Sequence, residues 1–288
     1  MNTSKKLSFI KWNNAVLISS IKKINLNIIL IMVLDIAFYC SSALILFFWL
    51  KGIEAKTKSI TLPTPNDVIA LGYERALEVL SEAKAFFFLL IFSAVIVLLA
   101  LIFLASIMKA IIWAKTTNTK LSFSLISRFL VLNLIWTTFW TAIFLFILIF
   151  VKPELVQMLI IIAIILWIYL TNTLYSIFMK EQKFNSVIST IKLNATKIHL
   201  FLLPYALIFL TLFVIASLGR LTRLDALSFF VTTKLADFVG LDYSFGLTKN
   251  LTILIIALLS IFVNPLFLLS AALIRYYTSN LVLEIEKR

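Results

Sequence analysis

This 288-residue sequence predicts an all-α fold, a polytopic integral membrane protein with six transmembrane helices arranged as three hairpins, and three observations carry that expectation. Hydrophobic residues make up 62% of the chain and the mean hydropathy is +1.08, where soluble domains are only about half apolar. Six runs, 28–50, 85–108, 129–151, 155–178, 200–218 and 251–274, match the ~20 residues that cross a hydrocarbon layer about 30 Å thick. Basic residues also collect at alternate connections between these runs. One face holds 16 Lys and Arg against the acids Glu181, Glu284 and Glu286, whereas the other holds 10 basic and 9 acidic residues. The positive-inside rule then places both termini in the cytoplasm of a multi-pass protein of the cell membrane, and the whole chain, 1–288, reads as one membrane domain.

The formal net charge of +13 would suit nucleic acid, but it sits at the ends of apolar runs and not on a soluble basic domain interleaved with aromatics, so no nucleic acid partner is expected. A basic inner face attracts anionic lipid headgroups instead, at about 1 kcal/mol per Lys or Arg close to the surface. The first run is too long and starts too late for a signal-peptide core, so no processing is expected. Cys40 is the single cysteine, which leaves no internal disulfide and no thiolate metal cluster.

Residues 1–27 form a cytoplasmic segment. Within it Lys5 to Ile24 reads as an in-plane amphipathic helix, because Leu17, Ile21, Ile24 and Ile28 make one apolar stripe with Lys22 and Lys23 off it. The alternative is a solvated basic tail. The first span carries Asp35, the only acid inside any of the six runs. It lies seven residues past Ile28, roughly 10 Å into the layer at 1.5 Å per residue, where an ionised carboxylate needs a partner. Lys22, Lys23 or Arg128 would reach it by snorkelling.

Residues 51–84 form an outer loop in which Pro63 to Asp67 make a turn, and 68–82 read as a helix running into the second span. The third and fourth spans are joined by Lys152-Pro153-Glu154, which is too short for anything but a tight antiparallel turn. After the fourth span, Phe184, Val187 or Ile188, Ile191, Ala195 and Ile198 form an apolar stripe opposite Asn185, Ser189, Lys192, Thr196 and His199, a second in-plane helix. Pro204 in the fifth span and Pro265 in the sixth each remove a donor and free a carbonyl one turn back, Leu200 and Ile261, so kinks are expected there. Residues 219–250 form the other outer loop. All five glycines lie outside the runs, which leaves no GxxxG contact and argues against glycine-hinged carriers.

By this topology Asp35, Asn133, Asn172 and Asn264 all fall in the cytoplasmic halves of their spans. With Thr137 they make an inner polar layer, either the lining of a cavity for a lipid headgroup or small solute, or ordinary interhelical hydrogen bonding worth about 0.6 kcal/mol per contact. Enzyme readings have less to stand on. The single His199 and Cys40 and the lone intramembrane acid supply neither a paired-carboxylate site nor a metal cluster, and HExxH, GxSxG and Walker motifs are absent. No cofactor, metal or catalytic residue is therefore expected.

Three segments share the form [LV]-I-S-x-[IF] with an Asn closing it: Leu17 to Asn25, Leu125 to Asn133 and Val187 to Asn194. Each leads into a membrane-length run, so the chain divides into three units of leading helix plus hairpin. In this arrangement the chain resembles the six-helix membrane domain attached to some glycerophosphodiester phosphodiesterases and related prokaryotic membrane proteins. The phosphodiesterase domain itself is absent, so the resemblance implies no catalytic residue. The first expectation is a non-enzymatic membrane-embedded module or subunit, acting with lipid, another membrane protein or a second copy. The other is a small-solute or lipid transporter using Asp35 and the Asn layer. Asp35→Asn should be nearly silent in the first case and abolish activity in the second.

Overall fold

The computed structural model describes residues 3–22, 27–59, 73–197 and 246–286, with isolated residues and short stretches between 206 and 239. The helices are α1 (Thr3–Lys22), α2 (Asn27–Ser59), α3 (Tyr73–Thr117), α4 (Phe123–Phe150), α5 (Pro153–Glu181), α6 (186–197), α7 (Gly246–Phe262) and α8 (Pro265–Glu286), and no strand occurs among the described residues. Five stretches are long and apolar enough to cross a membrane: Asn27–Thr57, Leu77–Thr117, Phe123–Phe150, Pro153–Glu181 and Pro265–Ile285. The chain is thus a helical, multi-pass, membrane-embedded protein. The run 200–218, with Pro204 and His199, falls outside the described residues apart from helical residues at 206 and 210.

Local chemistry accounts for the helix ends. Ser122 caps α4, its side-chain oxygen accepting the Leu125 N–H at 3.1 Å, the usual way an orphan amide of the first turn is satisfied. Between α4 and α5 only Val151 and Lys152 intervene. Lys152 is extended (ψ 138°) and Pro153 opens α5, because proline's ring keeps its predecessor out of the helical region and its missing N–H costs nothing at a helix start.

Helices α2 and α3 differ from the expected outer loop 51–84. The first continues as helix to Ser59 and the second is already helical at Tyr73, so much of that segment is helix. At 33 and 45 residues they measure about 50 and 68 Å, longer than a hydrocarbon layer. They pack together, with Trp49 Nε1 donating to Ser93 Oγ at 3.0 Å.

The run 251–274 is not one helix. Regular helix stops at Phe262 and restarts at Pro265, since proline cannot supply the amide that the Ile261 carbonyl would need. That carbonyl is not left free: the Asn264 N–H donates to it at 3.2 Å. The Asn264 side chain meanwhile accepts the Leu266 N–H at 3.0 Å, which makes Asn264 the cap of α8 rather than part of an open polar layer.

Helix α8 occupies the centre and contacts α1, α2, α3, α5 and α7. Four apolar clusters result. The largest joins α3, α4 and α5 through Trp113, Phe129, Trp136, Leu174 and Phe178. A second packs Val16 of α1 with Ile177 of α5 and Tyr277 and Leu281 of α8. A third joins α2 to α7 through Phe47, Leu50 and Leu259, and a fourth joins α2, α3 and α8 through Ile31, Ile112, Ala272 and Tyr276.

Both leading helices bury a polar face, while of their apolar stripes Leu17 and Val187 pack against the core only in part. On α1 the buried residues are Asn13, Val16 and Ser20, while Ile18 and Ile21 are exposed. On α6 they are Ser186, Thr190 and Asn194, while Ile188 and Ile191 are exposed. Asn280 of α8 donates to Ser19 Oγ and Ser20 Oγ at 2.6 and 3.1 Å, and Tyr277 Oη donates to Asn13 at 3.3 Å. Helix α1 is held to the bundle by polar contacts as well as by Val16. The middle [LV]-I-S-x-[IF] copy has no separate leading helix at all. It forms the first turns of α4, with Leu125 and Phe129 in the core.

Candidate functional site

Asp35 lies on α2 where that helix meets α3 and α8, and it is fully buried. A carboxylate there has lost the water that would solvate it, so it must be matched by donors of opposite charge. Arg275 of α8 supplies two: Nη1 donates to Oδ2 at 2.5 Å and Nη2 to Oδ1 at 3.0 Å, the bidentate fork that suits a guanidinium and a carboxylate. Lys109 of α3 donates to Oδ1 at 3.1 Å. Its ammonium also stands 4.7 Å from the Phe38 ring centre and 5.4 Å from that of Tyr39, within cation–π range.

These partners correct the expectation drawn from snorkelling. Arg128 instead reaches the end of α5, where Nη1 donates to the Gln182 carbonyl at 3.3 Å, and Lys22 is exposed. Lys23 falls outside the described residues. The true partners are 74 and 240 residues from Asp35. Both lie among the basic flanks of the apolar runs, and no local signal in the sequence distinguishes them from the others.

Apolar and aromatic side chains neighbour the cluster. Ile31, Ile112, Ala272 and Tyr276, each within about one turn of a charged member, pack together. Tyr39, whose ring the Lys109 ammonium faces, stacks on Phe262 with ring centres 4.9 Å apart. Side-chain exposure is 0% for Asp35, 7% for Arg275 and 16% for Lys109, so the group opens outward only at the lysine.

The remaining polar-layer residues do not join it. Asn133 belongs to a separate network across α3, α4 and α5: Tyr175 Oη donates to its Oδ1 at 2.6 Å, and its Nδ2 donates to Ser106 Oγ at 3.0 Å. Ser106 in turn donates to the Ile102 carbonyl at 2.6 Å. Thr137 and Asn172 are half-buried and belong to neither network among the described residues. Trp136 finds Thr171 at 2.8 Å instead. The layer thus separates into an ion cluster, a hydrogen-bonded chain and a helix cap.

Asn133→Ala tests the weight of the second network. It leaves Tyr175 and Ser106 each short of one interhelical partner, and such bonds contribute about 0.6 kcal/mol apiece in membranes. The expected loss is on the order of 1 kcal/mol, read as a drop of a few degrees in thermal midpoint with the fold retained. Outright failure to fold would instead give the network a far larger role.

Among the described residues no group of three His, Cys, Asp or Glu side chains is placed to hold a metal. Fold and site together define a class: a multi-pass helical membrane protein in which α2, α3 and α8 are cross-linked by a buried three-member ion cluster. No protein-family model, curated protein or solved structure matches the chain.

Proposed function

We propose that the protein is a non-enzymatic membrane-embedded module or subunit that acts through contact with lipid or with other membrane proteins. Support comes chiefly from how the spans use their polar groups: Asp35, Asn133 and Asn264 are each occupied by partners within the chain. Groups committed in this way fix helix packing and leave little to bind and release a solute. The outward surface fits the same reading, since Phe87, Phe88, Phe92, Ile96, Leu99 and Phe103 along α3 are all exposed, as a lipid-facing helix requires. Location in the cell membrane with both termini cytoplasmic is part of the proposal, as is the architectural kinship with phosphodiesterase-linked membrane domains.

A small-solute or lipid transporter is the second reading, and the break between α7 and α8 favours it, because transporters often bind substrate where spans are discontinuous. Against it, the freed backbone and side-chain groups at Asn264 are used by the break itself.

Extraction of the intact chain in mild detergent, followed by native mass measurement, tests the proposal. The expected species is the chain with bound lipid, a stoichiometric protein partner or a second copy. Saturable solute uptake by vesicles containing the purified chain alone, lost in a variant that remains folded, would overturn it.

A further inference from the structure

We propose that the α2–α3–α8 ion cluster is an anion site, and that Lys109 holds a phosphate-bearing anion, the phosphodiester of a membrane lipid or a free phosphate. This deepens the lipid-contact reading and rests on it.

The argument begins with charge. Among the described residues two cations, Lys109 and Arg275, share one carboxylate, Asp35, which leaves one formal positive charge unmatched in that buried group. A guanidinium does not surrender its proton in a protein, and both its terminal nitrogens are already committed to Asp35. The surplus therefore resides at Lys109. Among the described residues Asp35 is the one hydrogen-bond acceptor of that ammonium, which has three donors to place. A buried ammonium with such a surplus either gives up its proton or is offset by an anion from outside, and the second course is the one proposed.

Geometry limits where that anion can sit. Asp35 is sealed and Arg275 nearly so, whereas the Lys109 edge is open. Lys109 directly follows the apolar run 85–108, which spans about 36 Å at 1.5 Å per residue and so covers a hydrocarbon layer by itself. Its ammonium is thus delivered where that run ends, which puts the Asp35 bonded to it nearer the headgroups than the roughly 10 Å counted from Ile28. Phe38 and Tyr39 hold it from behind, and further along the same helix end Lys115 is exposed, adding to the positive field without touching Asp35. An ammonium braced on a ring and a carboxylate, with N–H groups still to place, fits one phosphoryl oxygen.

The test is titration of the full-length detergent-solubilised chain with phosphatidylglycerol, with diacylglycerol, which lacks the phosphate, and with inorganic phosphate, reading thermal midpoint and native mass. Phosphatidylglycerol should bind and raise the midpoint while diacylglycerol does not. Lys109→Gln should weaken that binding about tenfold or more, with Lys109→Arg retaining it and the neighbouring Lys115→Gln nearly unchanged. Lys109→Gln keeps the one-to-one Asp35–Arg275 pair, so without lipid its midpoint should equal or exceed that of the parent chain. Lys109-dependent protection by phosphatidylglycerol alone assigns the site to lipid, and equal protection by inorganic phosphate assigns it to a free anion. Binding indifferent to Lys109, or no binding of either phosphate compound, overturns the proposal. In that event a co-purifying protein partner would leave the membrane-module reading standing, whereas solute uptake by the chain alone would remove that reading as well.

Discussion

Asp35→Asn should lower the thermal midpoint of the purified protein sharply, by on the order of 10 °C. The amide cannot offset two cations, so Arg275 and Lys109 are left facing each other in a site closed except along the Lys109 edge. Removing one partner of a buried ion pair costs about 3–5 kcal/mol, and each kcal/mol corresponds to about 2–4 °C for chains of 150–250 residues. The sequence alone leads to the opposite expectation for a non-transporting protein, in which Asp35 is a lone acid and its amide nearly silent. Partners supplied by α3 and α8 reverse that. A compensated variant separates stability from activity. Replacing the whole cluster by apolar residues of similar size, Asp35→Leu with Lys109→Met and Arg275→Met, should recover most of the loss, because exchanging buried charges together is often neutral or stabilising. An unchanged midpoint for Asp35→Asn would mean that the three groups do not form an ion cluster in the folded protein.

Trp113→Ala should cost a comparable amount. Trp113 is among the largest fully buried side chains and anchors the junction of α3, α4 and α5. It meets Tyr175 edge-on with ring centres 6.0 Å apart, and Tyr175 leans on Phe129 at 4.8 Å, which in turn contacts Phe178 at 5.6 Å. Within lipid there is no solvent-driven force between helices, so shape and dispersion contacts carry the association. A void at the start of this ring series therefore removes contact that lipid cannot replace. Trp→Ala changes in packed cores cost about 3–5 kcal/mol, and aromatic pairs add about 0.5–1.5 kcal/mol beyond area. The midpoint of detergent-induced unfolding in mixed micelles reads the loss. Phe88→Ala on the exposed face of the same helix is the control and should shift the midpoint little. Equal effects of the two would mean that Trp113 is not packed at this junction.

The sequence by itself determined that the chain is helical and multi-pass, because run length and composition are local properties judged against the thickness of a hydrocarbon layer. The tight turn at Lys152-Pro153 is of the same kind, since a Pro three residues after a helix ends leaves few conformations. The interruption before Pro265 comes from a missing N–H. Tertiary structure alone decided which charges meet. Lys109 and Arg275 sit at the ends of apolar runs, where a basic residue ordinarily marks the cytoplasmic face, and only the packing of α2 against α3 and α8 brings both to Asp35. Tertiary structure also decided which face of α1 and α6 turns inward. Periodicity located an apolar stripe on each, yet Asn13, Ser20, Thr190 and Asn194 are buried while Ile21 and Ile191 point outward. The physical reason lies in the solvent. In water the apolar face packs inward, but beside lipid it loses nothing by facing out, and small polar side chains that hydrogen-bond across helices take the protein side.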